Sequence, residues 1–139
     1  MRIISYIPSL VLDKFWIACS KEEAEKWFIP LLDERGLERL HNWFRFYEQC
    51  KQQPDHGKDY EQMIKDTMEV DEVAYAYFCV SRDLSECYAD VAHHPFHPLW
   101  NAYSPFRRCD HVEIDSPDEL KDIVMTYKGK PIEPSDEEE

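Results

Sequence analysis

Glycine is scarce: Gly36, Gly57 and Gly129 are the three in 139 residues, and no two lie close together. A P-loop or a dinucleotide-binding turn needs clustered glycines so that backbone can close on phosphate. A nucleophile elbow needs them on both sides of its serine. None of these can be written on this chain, which excludes the nucleotide enzymes and hydrolases built on them. Long apolar runs are missing as well. Asp13, Lys14 and the charges from Lys21 to Lys26 interrupt the N-terminal third, well short of the ~20 apolar residues a membrane helix requires. A soluble protein is expected.

Positive charge is the third deficit, with 16 Lys and Arg against 29 Asp and Glu, a formal net charge of −13. One lysine against five acids over residues 130–139 accounts for −4 of this and leaves −9 on the body. That sign opposes DNA, RNA and anionic membranes, whose affinity for proteins rests on neutralising phosphates with Lys and Arg. Direct nucleic-acid binding is therefore not expected, and a partner protein with a basic surface is. The five cysteines are odd in number, and Met1 to Pro8 offers too short an apolar run for a secretory signal. A disulfide scaffold does not fit, and a reducing cytoplasm is the default location.

What the chain does have is a sequence of alternating elements without repeats. Ile3 to Ile7 reads as a strand, while Leu10 to Ala18 is ambiguous between strand and short helix. Ser20 and Glu23 have capping-box spacing and predict a helix that Pro30 disturbs, and Gly36 suits a left-handed position after a second short segment. Leu37 to Cys50 is the clearest helix, with Leu37, Leu40, Trp43, Phe44, Tyr47 and Cys50 on one face and Phe46 widening it. A further amphipathic helix is expected from Asp59 to about Val70. Val73 to Val80 alternates with both faces apolar, as an interior strand does.

Ser81 to Glu86 should turn, Cys87 to Ala92 should return as a strand or short helix, and three prolines mark His93 to Arg108 as loop. Cys109 to Asp115 reads as a strand. Ser116, Pro117 and Glu119 open a capped helix expected to reach Tyr127, so Glu119 and Lys121 belong to a helix start rather than to a nuclease motif. The expected fold is α+β: a small, mostly antiparallel sheet of three to four strands packed with three to four helices. It occupies a single domain over 1–128, and an acidic disordered tail follows over 129–139.

Two constellations bear on function. His93 and His97 lie in a histidine- and proline-rich loop, with Cys109 and His111 downstream. Four nitrogen and sulfur donors suit zinc, and these four residues are the candidate set for a small metal-dependent hydrolase or a zinc-stabilised domain. Pro95 and Pro98 break the helical spacing a metalloprotease needs, so the plainer reading is a loop packed on the sheet, with no cofactor and with thiols buried as small hydrophobes. The second constellation is acidic and aromatic. Asp59, Glu61, Asp66, Glu69, Asp71 and Glu72 outnumber the lysines around them, and Trp43 and Phe46 widen their helix face beyond one packing contact.

A solvated helix face explains the acids in the ordinary way; a surface that steers and anchors a basic partner is the sharper reading. The function expected is a non-catalytic, acidic protein-binding module. It would act as an inhibitor or immunity-type protein of the bacterial or phage kind, neutralising a basic, nucleic-acid-processing partner. It would be a monomer or homodimer and would not engage a membrane. The metal-dependent hydrolase and an adaptor role are the alternatives.

Overall fold

The computed structural model describes residues 1–52, 62, 65, 71–72, 74–89 and 109–132, with the side chains of Trp43, Phe46, Tyr47, Cys50, Lys51 and Tyr88 outside that description. The fold is mixed α/β around a small antiparallel sheet. Strands β1 (Arg2–Ile7), β2 (Lys14–Cys19), β3 (Ala76–Ser81) and β4 (Cys87–Tyr88) form a meander, and β5 (Val112–Glu113) adds to the outer side of β1. The order β4-β3-β2-β1-β5 has five strands, one more than the sequence suggested. The ambiguous segment resolves at its second half: β2 pairs with both β1 and β3, and this pairing decides for strand what local pattern left open.

A bulge sets the faces. Ile3 pairs with Ile17, but Ser5 pairs with Trp16, so one extra residue enters β1 between them. Because side chains alternate with period two, that insertion puts Tyr6 on the face of Ile3 and sends Ser5 to the other. The first face then collects Ile3, Tyr6, Phe15, Ile17, Phe78 and Val80, all buried. The opposite face is buried too, at Ser5, Trp16, Tyr77 and Cys79. This two-sided burial is why β3 has no polar alternation, as expected of an interior strand.

Helix α1 (Lys21–Glu23) begins at the predicted capping box: Glu23 N–H donates to Ser20 Oγ at 3.2 Å, and Ser20 N–H to Glu23 Oε1 at 2.9 Å. It widens at once into a π turn over Ala24–Phe28 and ends as a 3-10 turn over Ile29–Leu31 that contains Pro30. The turn lays Phe28 on the sheet, stacked on Phe78 with centroids 5.1 Å apart. Helix α2 (Glu34–Gln52) starts three residues earlier than expected. Asp33 opens it by accepting from Gly36 N–H at 2.8 Å, so Gly36 lies in the first helical turn and not in a left-handed cap. The reason for a glycine there is steric, since a Cβ would come within 3.0 Å of Leu32.

Of the aromatic face expected on α2, Leu40 is buried and Leu37 and Phe44 are half-buried. The side chains of Trp43 and Phe46 lie outside the described residues. So does almost all of the helix expected from Asp59 to Val70.

The C-terminal part departs most from expectation. The second capping box forms, with Asp118 N–H on Ser116 Oγ at 3.1 Å and Ser116 N–H on Glu119 Oε2 at 3.1 Å. It opens only a 3-10 turn, Pro117–Lys121, and not a helix to Tyr127. A hairpin of β6 (Thr126–Tyr127) and β7 (Lys130–Pro131) follows, so ordered chain continues past the boundary expected at 128. Lys128 and Gly129 both have positive φ, 53° and 80°, as a two-residue hairpin turn requires. Ile132 donates to the Met125 carbonyl at 2.9 Å and packs on the core. Residues 133–139 of the expected tail lie outside the described residues.

Candidate binding groove

The antiparallel meander has two ends. At one, β1 begins, β2 finishes and β3 begins, and here the chain forms an open groove of about 710 Å³. It is lined by Met1 and Arg2 at the start of β1, by Ala18 to Lys21 and Glu23 at the end of β2 and the helix start, by Asp71, Glu72, Ala74 and Tyr75 before β3, and by Glu113 of β5.

Two of the cationic groups that line it are held by its own carboxylates. The buried Met1 ammonium donates to Glu23 Oε2 at 2.5 Å and to the Ile114 carbonyl at 3.2 Å. Arg2 Nε donates to Glu113 Oε1 at 2.6 Å. Lys21 also lines the groove, exposed and 4.0 Å from Glu25. Burial alone would raise the Glu23 carboxyl, but the Met1 ammonium and the two hydrogen bonds with Ser20 outweigh it and hold the group below its usual value. Asp71 and Glu72 are different. Both are exposed, and among the described residues neither has an ion-pair partner. Beside them Tyr75 is 38% exposed, its ring braced 4.8 Å from Phe44 of α2. The groove thus offers an uncompensated negative rim next to a braced aromatic ring, a combination able to hold a cationic side chain against a partly apolar surface.

Of the residues singled out in the sequence, Asp71 and Glu72 are brought to this groove. Asp59, Glu61, Asp66 and Glu69 lie outside the described residues, as do the side chains of Trp43 and Phe46. Tyr75, Glu23 and Glu113 were not foreseen. Tyr75 was read as a strand residue, and the structure starts β3 one residue later, which frees the ring for the rim. Nothing local could have joined Glu23 to Glu113, 90 residues on. A second groove, of about 720 Å³, runs along α2 past Leu37, His41 and Phe44.

The thiols do not gather into reactive geometry among the described residues. Burial pushes the Cys19 thiol well up, with the Glu23 carboxylate adding to it, and burial pushes Cys87 up to about 12. Both stay protonated near neutral pH, the opposite of what a nucleophile needs. For the alternative metal set, His93 and His97 lie outside the described residues; Cys109 is buried and His111 half-buried, just before β5 rather than within it. Among the described residues no group of three His, Cys, Asp or Glu side chains is placed to hold a metal ion, and no helix is long and apolar enough to cross a membrane. No protein-family model matches the chain, and no curated protein or solved structure matches it.

Proposed function

We propose that this chain is a non-catalytic binding module that neutralises a partner protein with a basic surface, in the manner of an inhibitor or immunity-type protein. The observation that carries the reading is the rim of the groove, where Asp71 and Glu72 have no ion-pair partner among the described residues and stand beside the exposed Tyr75, while the Met1 ammonium and Arg2 are already engaged. A net charge of −13 extends the same preference to long range. Charge of one sign around a groove speeds encounter with the opposite sign, and an aromatic ring at the contact supplies anchoring that charge alone does not. A partner that handles nucleic acid fits this chemistry, because its own site must be basic to hold phosphate.

The test is capture with immobilised full-length chain, in parallel with the double variant Asp71→Lys, Glu72→Lys. The expected result is a basic protein retained by the unsubstituted chain and released by moderate salt, with retention greatly reduced for the variant. Retention of the same protein equally by both chains would remove the groove from the reading.

A further inference from the structure

The Phe44–Tyr75 ring pair stands between two grooves. Tyr75 lines the acidic groove, Phe44 lines the groove of about 720 Å³ along α2, and the two rings touch with centroids 4.8 Å apart. The α2 groove carries a charge pattern of its own. Glu34 and Glu38 line its start, one helical turn apart, both exposed and neither with an ion-pair partner among the described residues. Leu37 and Phe44 give it a half-buried apolar floor. His41 and Arg45 follow beside that floor, the Arg45 guanidinium donating to Asn42 Oδ1. Arg35 and Arg39, each one position beyond a glutamate, do not line the groove. Across the two grooves, free carboxylates therefore stand at both ends, Glu34 and Glu38 at one and Asp71 and Glu72 at the other, with apolar and ring surface between them.

We propose that both grooves hold one continuous segment of the basic partner, whose cationic side chains are divided into two groups by an uncharged, apolar stretch. This rests on the basic-partner reading of the acidic groove and adds the pattern the partner carries. One cationic group meets Asp71 and Glu72, the apolar stretch crosses the rings of Tyr75 and Phe44 and reaches Leu37, and the second group meets Glu34 and Glu38. Arg45 decides the middle. A cation placed there would face the guanidinium, so a uniformly basic segment is disfavoured where an uncharged one is accepted.

Helix rise sets the spacing. From Glu34 to Phe44, α2 advances about 15 Å at ~1.5 Å per residue, a distance that an extended chain covers in about five residues at ~3.3 Å each. The two cationic groups are accordingly separated by about five residues or more.

Two synthetic peptides of equal length and identical composition test this, one with two arginines at each end of an apolar middle, the other with all four arginines at one end. Binding to the full chain is followed by fluorescence anisotropy at low ionic strength. The split peptide should bind roughly fivefold more tightly or better, the scale that two exposed ion pairs supply. Glu34→Gln combined with Glu38→Gln should remove most of that difference and leave the clustered peptide as it was, whereas Asp71→Lys combined with Glu72→Lys should weaken both. Asp122→Lys changes the net charge as much as the two glutamine substitutions do, at an exposed site outside both grooves, and should leave the preference for the split peptide intact. All these positions are exposed, so circular dichroism should show an unchanged fold. Equal affinity for the two peptides, no binding of either, or indifference to the glutamine substitutions would overturn the proposal. If the Asp71 and Glu72 reversals still weaken both peptides in that case, the reading of the acidic groove stands without it; if they weaken neither, that reading falls as well.

Discussion

Every nitrogen of the Arg82 guanidinium has an acceptor, and the carboxylate it serves is itself buried, Asp13 being 8% exposed with Tyr6 Oη donating to it at 2.6 Å. Removing one member of such a pair strands the other. Arg82→Met keeps most of the side-chain volume but leaves the Asp13 charge and two carbonyls without the donor. With Arg82 partly open to solvent, the expected loss is about 3 kcal/mol, at the low end of what breaking a buried pair costs; denaturant unfolding measures it. Arg82→Lys should recover only part, because an ammonium cannot fork across a carboxylate and reach the carbonyls at once.

Tyr6 makes the same cluster sensitive to alkali. Burial first, then the hydrogen bond and charge of Asp13, push its hydroxyl from 10.0 up to about 12. A group whose folded value is raised keeps its full contribution below the unfolded value and loses it as pH climbs through the folded one. The Tyr6 contribution should thus hold up to about pH 10 and fall between 10 and 12. Cys87, raised from 9.0 to about 12, gives a loss of the same sign that starts nearer pH 9. Stability curves of Tyr6→Phe and the parent should therefore converge toward pH 12, and a constant difference between them from pH 8 to 12 would rule out Tyr6 as an alkaline-sensitive group. None of this cluster was visible in the sequence. Asp13 and Arg82 are 69 positions apart, and only the pairing of β2 with β3 brings their neighbours Lys14 and Ser81 together.

Among the elements, legibility followed how local the deciding interaction is. Both capping boxes were readable, because a serine and a glutamate three residues apart meet within one turn. Helix length was readable after the first, where Pro30 lies in the 3-10 turn that ends it, but not after the second, which gives way after one turn to a hairpin whose turn is fixed from outside. That outside group is Asp110, whose carboxylate accepts from Lys128 N–H at 2.8 Å, Gly129 N–H at 3.0 Å and Thr126 Oγ1 at 2.8 Å.

Lys-Gly is a poor signature for a turn that needs two positive φ values, so the hairpin was hidden from any reading of 126–131 alone. These hydrogen bonds, that of Gly129 first, hold the Asp110 carboxyl below its usual value. Its support is accordingly present above about pH 4 and lost on acidification below that. Asp110→Ala should expose residues 126–131 to rapid amide exchange while β1, β2 and β3 remain protected. Equal loss of protection in both regions would mean that Asp110 supports the whole fold and not this turn.

At the scale of the molecule, the sheet separates two kinds of surface. One end collects the exposed acids Asp71 and Glu72, without an ion-pair partner among the described residues, beside Tyr75; the other carries Leu10, Val11 and Val124 near the Arg82–Asp13 pair. The sequence carried the charge sign and the identity of two groove acids, because net charge and local acid density do not depend on fold. It could not carry the position of the groove, which is assembled from Met1, Cys19, Glu23, Tyr75 and Glu113 through strand pairing.

The central claim, that the acidic groove steers a basic partner, is tested most directly by the association rate constant of the captured partner as a function of ionic strength. It should be measured for the unsubstituted chain and for Asp71→Lys combined with Glu72→Lys. The account predicts a rate that falls steeply with salt for the unsubstituted chain, and a slower, flatter dependence for the variant, with dissociation changed far less than association. Identical salt dependence for the two chains would contradict it.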